Sequence, residues 1–402
     1  MKNNEFKKIK NILIENIIRL ENFFNQKKAP EHFLEYCKEN IATLKQQAII
    51  ASNINDFKNI AEEFIKLESS VAHFKNEDIC YAIDIFLEET LKTFSFTKYY
   101  ENLALIPAQS FFSSSKCSFK NNKTFIPVSS FCSNNPIFWS YIIKQTAISC
   151  EPLGVKAEDF SECEGFAELF KDIYSDITAV KICGPAHYIA FVNYKTIKAL
   201  TTNDMNYLKK LFIRNLFLYK NIKLSEAIKY ISPYYNDFIK LLKSLADKEL
   251  LEKFEKIETC SETLINTVGT KITEILNPAL IYNNDNLDET HKVIKKLSEE
   301  SFACSASTNT IDKIRTDYQN ELNTDQDNIY IHLNKLKEEP FAPINIINAE
   351  RFYISEKMEK YPEKNNALKY YEYLNHFIDN LDNLVIKSIE TNKIHRILLN
   401  EE

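Results

Sequence analysis

Three stretches of the chain hold the residue types and spacings that could do chemistry. The first is Pro136-Ile-Phe-Trp139-Ser-Tyr141-Ile-Ile-Lys144-Gln145-Thr-Ala-Ile148, which contains the only Trp. The second is Glu168-Leu-Phe-Lys-Asp172-Ile-Tyr-Ser-Asp176-Ile, followed by Cys183-Gly184-Pro185-Ala186-His187-Tyr188. The third lies toward the C-terminal end, as Pro343-Ile-Asn-Ile-Ile-Asn348-Ala349 and Leu384-Val-Ile-Lys387-Ser388-Ile389-Glu390. Asp172 and Asp176 are four residues apart, so on a helix both carboxylates share one face. Such a pair can hold a cation or simply face solvent. His187 could titrate or ligate, although a histidine packed in the core is the plainer reading. Gly184 and Ala186 permit close helix packing, and Pro185 forces a helical restart. His187 with Cys150, Cys163 and Cys183 would offer zinc-ligand types, but their spacing matches no standard ligand pattern.

Taken together, these segments resemble a group of uncharacterised bacterial zincin-like proteins, over about residues 130–395. In that group an aromatic-led helix carries HExxH, and a later helix carries an acidic motif followed by Gly-Pro-Ala. An Ile-x-Asn-Ala segment and a Lys-Ser-Ile-Glu-like helix come last. HExxH works because two His at i and i+4 share a helix face and hold Zn²⁺, while the Glu is general base to the metal-bound water. Aligned on Trp139, this chain has Lys144 and Ile148 at the His positions and Gln145 at the Glu position. Lysine is a poor metal ligand, isoleucine has no lone pair to offer, and glutamine cannot accept the proton. The resemblance therefore implies an inherited core with its zinc chemistry removed. It makes Asp172, Asp176 and His187 the remaining candidate ligands. It also makes Trp139, Tyr141, Asp172 and Asp176 the candidate lining of a disused groove. No cofactor is expected, and zinc is the metal to test for.

Other chemistries have less support. The chain has four Gly, at 154, 165, 184 and 269, never clustered. Rossmann turns, P-loops and kinase-type loops need clustered Gly so that backbone can approach phosphate. No Gly-x-Ser-x-Gly elbow occurs. Ser129, Ser130 and Cys132 read as a polar loop cluster. With 56 acidic residues, accidental carboxylate pairs are certain. Net charge is −6 and no long Lys/Arg run stands out, which argues against a nucleic-acid partner. The nine Cys form no CxxC and are odd in number, so reduced thiols are expected. There is no secretory apolar segment and no run of eighteen apolar residues, so no membrane span is expected. The expected location is the cytoplasm, with export by a specialised secretion system compatible.

The elements that must position these residues are mostly α. Apolar positions at Phe6, Ile9, Ile12, Leu13, Ile17, Ile18, Leu20 and Phe24 recur at helical spacing over 5–26. Further helices are expected over about 30–52, 55–75 and 77–93. The Phe-, Ser- and Thr-rich stretch 94–135 predicts short strands near 103–106 and 124–128. Helix resumes at 136–150, at 164–182, after Gly184-Pro185, and over 204–220, 224–246, 247–276 and 287–318. A loop at 319–328 and a short strand at 329–333 precede helices at 344–361, 365–378 and 381–398. The last of these, with apolar Leu384, Val385, Ile389, Ile394, Ile397 and Leu398, packs on the body or docks a partner.

The expected architecture is a multi-helical body with a small β-containing zincin-like core. It divides into an N-terminal helical region 1–93, a degenerate core 94–200 and a C-terminal helical region 201–402. The leading function is a catalytically inactive, metallopeptidase-like binding or regulatory module with a protein partner; the oligomeric state is open. The alternatives are a hydrolase with a replaced metal or nucleophile site, and a structural subunit or exported effector of a bacterial assembly.

Overall fold

The apolar ladder of residues 6–24 folds as helix α1, Lys7–Gln26. The computed structural model describes residues 6–26, 31–69, 81–92, 103–108, 118–120, 123–129, 132, 135–149, 167–222, 225–276, 281–298, 341–359 and 367–398. Every residue from Asn11 to Leu20 is buried, polar ones included, so α1 is a core helix rather than a surface one. Helices α2 (Glu31–Ile50), α3 (Ile54–Ser69) and α4 (Tyr81–Lys92) follow. At the start of α3, Asp56 N–H donates to Asn53 Oδ1 at 3.1 Å, and Ser52 N–H donates to Asp56 Oδ2 at 3.0 Å. That reciprocal arrangement satisfies donors which a helix start leaves open.

Three strands come next, β1 (Leu103–Ala108), β2 (Ser118–Lys120) and β3 (Lys123–Ser129). Their order is β1-β3-β2, with β1 parallel and β2 antiparallel to β3. Ile126 and Val128, two residues apart on β3, are both buried, as one face of a strand requires. A 3₁₀ turn at Pro136–Phe138 leads into α5, Ser140–Ser149, which packs against β3.

The remaining elements are helical: α6 (Phe170–Cys183), α7 (Pro185–Leu200), α8 (Met205–Asn221), α9 (Ser225–Leu245), α10 (Lys248–Ile275), α11 (Asn284–Ser298), α12 (Pro343–Glu359) and α13 (Ala367–Leu398). Asp204 and Asp247 start α8 and α10 by accepting from the Asn206 and Leu250 N–H groups. The described chain is mostly helical, and one apolar cluster runs through it from Ile9 to Ile389. Among the described residues no helix is long and apolar enough to cross a membrane.

Two expectations need correction. The helices read separately over 365–378 and 381–398 are one helix of 32 residues, because nothing between them breaks a helix. The helix read from 287 starts at Asn284, after Asn283 and Asn286 bond each other's N–H groups. Its expected extension over 299–318, the loop at 319–328 and the strand at 329–333 lie outside the described residues. So do residues 150–166, and with them Cys150 and Cys163.

The sequence motifs meet at the α6–α7 junction. Gly184 has φ of 63°, a conformation that side-chain-bearing residues rarely adopt. A Cβ there would lie 2.6 Å from the Tyr282 ring, so the position needs both the freedom and the smallness of glycine. Asn348 of α12 closes the break from the other side. It accepts from the Ala186 N–H at 2.8 Å and donates to the Cys183 carbonyl at 2.9 Å. Pro185 has no N–H to offer, so this amide satisfies groups that a helix break would otherwise bury without partners. The Gly-Pro-Ala and Ile-x-Asn-Ala segments thus form one joint.

Candidate functional site

The site is built on α6, which packs against α5, α7 and α8. Asp172 and Asp176 stand one turn apart on it, as their spacing requires. Lys144 reaches them from α5, with Nζ 3.0 Å from Asp172 Oδ1 and 3.2 Å from Asp176 Oδ1. Arg214 reaches them from α8. Its Nε donates to Asp176 Oδ2 at 2.6 Å and its Nη2 to Asp176 Oδ1 at 3.0 Å, a two-pronged grip. Its Nη1 lies 3.5 Å from Asp172 Oδ1. The Arg214 guanidinium also sits 5.3 Å from the centre of the Phe191 ring on α7.

Asp176 and Arg214 are sealed in the core, whereas the Asp172 side chain is 42% exposed and marks the outer end of the cluster. Burial alone would raise both carboxyl pKa values. The Arg214 and Lys144 charges override it and hold Asp172 and Asp176 below the usual carboxylate range. The Arg214 pKa rises for the complementary reason: burial works against its charge, but Asp176 and Asp172 outweigh it.

His187 lies beside this cluster but outside its ion pairs. It is fully buried, its Nδ1 is 3.2 Å from Ser140 Oγ on α5, and its ring is 5.6 Å from that of Tyr141. Burial lowers its pKa to about 3, and the positive charges of Lys144 and Arg214 add to that against the pull of Asp176. The imidazole is therefore neutral at physiological pH. A Ser–His contact could in principle activate the hydroxyl as a nucleophile. This one has no solvent access at either residue, and its imidazole is too weak a base at neutral pH.

The other expected residues separate. Gln145 and Ile148 lie further along α5 and are partly buried. Trp139 is wholly buried, with its ring 5.8 Å from that of Phe86. Tyr141 is 7% exposed and packs edge-on against Tyr194 at 5.2 Å. A groove lined by Trp139, Tyr141, Asp172 and Asp176 is thus not what these residues form. Trp139 and Tyr141 are core residues because the 3₁₀ turn and α5 carry them inward, and Asp176 because α6 packs against α5, α7 and α8, whereas the Asp172 side chain is 42% exposed. Cys183 is buried and, like Cys132, has its thiol pKa pushed up by burial, which leaves both poor nucleophiles and ligands.

The donor set does not fit zinc. Both carboxylates are bonded to Lys144 and Arg214, Ile148 brings no donor atom, and His187 bonds Ser140. Among the described residues no group of three His, Cys, Asp or Glu side chains is arranged to hold a metal ion.

Sequence reasoning missed Arg214 and a second buried network. Arg19 on α1, fully buried, donates to Glu15 Oε1 at 3.2 Å, Asn135 Oδ1 at 3.1 Å and Glu350 Oε1 at 3.3 Å, and also to Asp382. Arg351 on α12 holds Glu15 through contacts of 2.6, 2.8 and 3.0 Å. Burial, reinforced by the neighbouring Glu350, pushes the Asp382 pKa far up despite Arg19. The sequence offers only a weak signal: Arg19 and Arg214 each follow two apolar residues, Ile17-Ile18 and Phe212-Ile213, which by itself does not tell a core cation from a solvated one.

Comparison of the chain with protein-family models, with curated proteins and with solved structures gives no match.

Proposed function

We propose that this chain is a catalytically inactive, metallopeptidase-like protein that acts as a binding or regulatory module for a protein partner. One observation carries the reading: Lys144, at the first ligand position of the implied motif, sits on the two carboxylates of the acidic motif. A zinc peptidase needs that position for an imidazole and needs the carboxylates free for metal or water. Here an ammonium and a guanidinium neutralise the carboxylates instead. The motifs that would frame such a site persist as a packed joint, with Asn348 on Cys183 and Ala186. A helical frame kept together with a closed ionic centre suits a protein that presents a surface better than one that turns over a substrate. On this reading residues 94–200, with the small sheet, α5, α6 and α7, are the zincin-like core, and the protein works in the cytoplasm of a bacterium.

The test is elemental mass spectrometry of the natively purified protein, run beside a hydrolysis assay on a mixed peptide library. The expected result is trace metal and no hydrolysis. Near-stoichiometric zinc, together with peptidase activity that Asp172→Asn or Asp176→Asn abolishes, would overturn the proposal.

A further inference from the structure

A cavity of about 40 Å³ opens between α1 and α13, apart from the α5–α6–α8 cluster. Arg19, fully buried, forms its deep end with Asn135 beside it. Asp382, 8% exposed, lines the wall, and Asn22 and Asp379 are the partly exposed groups toward its mouth. Phe23 and Ile386 add apolar wall. At about 10–15 Å³ for each water, the space seats about three waters or one small polar group.

The lining asks for a donor. Asp382 Oδ1 is buried and accepts no hydrogen bond, while Oδ2 accepts from Arg19. Glu350 stands against Asp382, but its own Oε2 is unsatisfied too, and a carboxylate brings no donor. Asn22 Nδ2 is buried without an acceptor; with its carboxamide turned over, Oδ1 takes that place as a second acceptor. An anion is poorly received, because the N–H groups of Arg19 are already engaged by Glu15, Asn135, Glu350 and Asp382. The surrounding charge points the same way: the carboxyl groups of Glu15, Glu350, Asp379 and Asp382 stand against only the guanidinium groups of Arg19 and Arg351. A metal ion lacks ligands, since among the described residues no three acidic, His or Cys side chains are arranged to hold one. Between organic cations, apolar walls at Phe23 and Ile386 suit the flat, weakly hydrated faces of a guanidinium better than a compact, strongly hydrated ammonium.

We propose that this cavity is a binding site for a guanidinium group, which donates to Asp382 Oδ1 and lies against Phe23 and Ile386. The group is carried by a small molecule or by an arginine side chain of a protein partner. The inference does not rest on the proposed loss of zinc chemistry, because neither Arg19 nor Asp379 and Asp382 belong to that site; metal content and hydrolysis can come out either way without moving it.

The experiment titrates methylguanidinium chloride into the intact folded chain at about pH 7.5, with sodium chloride holding the ionic strength constant, and reads occupancy by saturation-transfer NMR. Half-saturation is expected at about 1 mM, within the ceiling for so small a ligand. Tetramethylammonium, a cation without N–H donors, should bind at least about tenfold more weakly, and acetate not at all. Ile386→Trp, which fills the cavity, should abolish binding, and Asp379→Asn should weaken it at least about threefold. Both side chains are partly exposed, so these variants spare the Arg19 network that Asp382→Asn would disturb. In a second arm agmatine and a capped Gly-Gly-Arg-Gly-Gly peptide compete with methylguanidinium. Tighter competition by agmatine assigns the site to a free small molecule, and tighter competition by the peptide assigns it to a partner's arginine. The proposal is overturned if no saturable binding appears below about 20 mM, the outcome for a cavity that holds only water. It is equally overturned if tetramethylammonium binds as well as methylguanidinium, or if folded Ile386→Trp and Asp379→Asn bind as the native chain does.

Discussion

Replacing Arg214 by Met tests whether the α5–α6–α8 cluster is held by charge pairing. Asp176 is 1% exposed and loses both bonds to Arg214, keeping Lys144 at 3.2 Å from one oxygen. Breaking a buried pair costs about 3–5 kcal/mol, because it strands an uncompensated charge. The surviving Lys144 contact places Arg214→Met near the lower end, about 3 kcal/mol. For 402 residues, an unfolding entropy of about 2 cal/mol/K per residue converts that to a midpoint about 4 °C lower. The pH dependence adds a sign. In the native protein the folded Asp176 carboxyl lies below its ordinary value, so its contribution is present at neutral pH and is lost as pH falls through the carboxylate range. In the variant burial dominates and raises that pKa, so the folded state takes up a proton more readily than the unfolded one. The deficit relative to native protein therefore shrinks from pH 7 to pH 5. Urea unfolding followed by far-ultraviolet circular dichroism at both pH values reads it. Asp176→Leu combined with Arg214→Met, which removes both charges, should recover most of the loss. A cost under about 1 kcal/mol at pH 7, or a deficit equal at both pH values, would refute the reasoning.

Two further perturbations follow from the same physics. Arg19→Met strands carboxyl groups of Glu350 and Asp382 in the core and should cost at least about 4 kcal/mol, seen as loss of soluble protein or a collapsed urea midpoint. Arg19→Lys should not restore it, since an ammonium has three donors and no planar fork to span four acceptors; full recovery by Lys would show that the geometry is immaterial. His187 is buried neutral, its pKa lowered from 6.5 to about 3, so the unfolded chain binds the extra proton first as pH falls. Its contribution is whole above about pH 6.5 and is lost toward pH 3, about 5 kcal/mol in all. His187→Leu should therefore flatten the fall of unfolding free energy between pH 6.5 and 4, and unchanged slopes would mean the folded imidazole protonates freely.

Helix content and the helix–strand order could be read from the sequence, because apolar spacing and the Pro and Gly breaks are local signals. The α6–α7 break is the clearest case, with Gly184 and Pro185 both at the junction. Strand segments near 103–106 and 124–128 fall within β1 and β3 for the same reason. The partners of Asp172 and Asp176 were not legible. Lys144 is 28 residues from Asp172 and Arg214 is 38 from Asp176, and nothing local to either helix says which cation meets which acid. Trp139 was misplaced for a related reason: an aromatic-led helix looks the same whether its aromatic lines a groove or a core. The buried polar face of α1 was missed because Glu15, Asn16 and Arg19 look like a solvated stripe until Arg351, Asn193 and Asp382 are seen to meet them.

The cluster also bears on how reversible the proposed loss of zinc chemistry is. A divalent ion would neutralise Asp172 and Asp176 from one point, held by ligands that a water can also reach. Lys144 and Arg214 do it from two different helices, so the same neutralisation ties α5 and α8 to α6. Charge balance becomes part of the packing. Restoring histidines at 144 and 148 and glutamate at 145 would then not suffice, because Arg214 would still occupy both oxygens of Asp176. Removing Arg214 as well would strand that carboxylate until a metal arrived. The steps that remove Lys144 or Arg214 each pass through a less stable protein. On the proposed reading, that barrier is why an acidic motif without a metal persists: its carboxylates are no longer spare ligands but the centre on which three helices close.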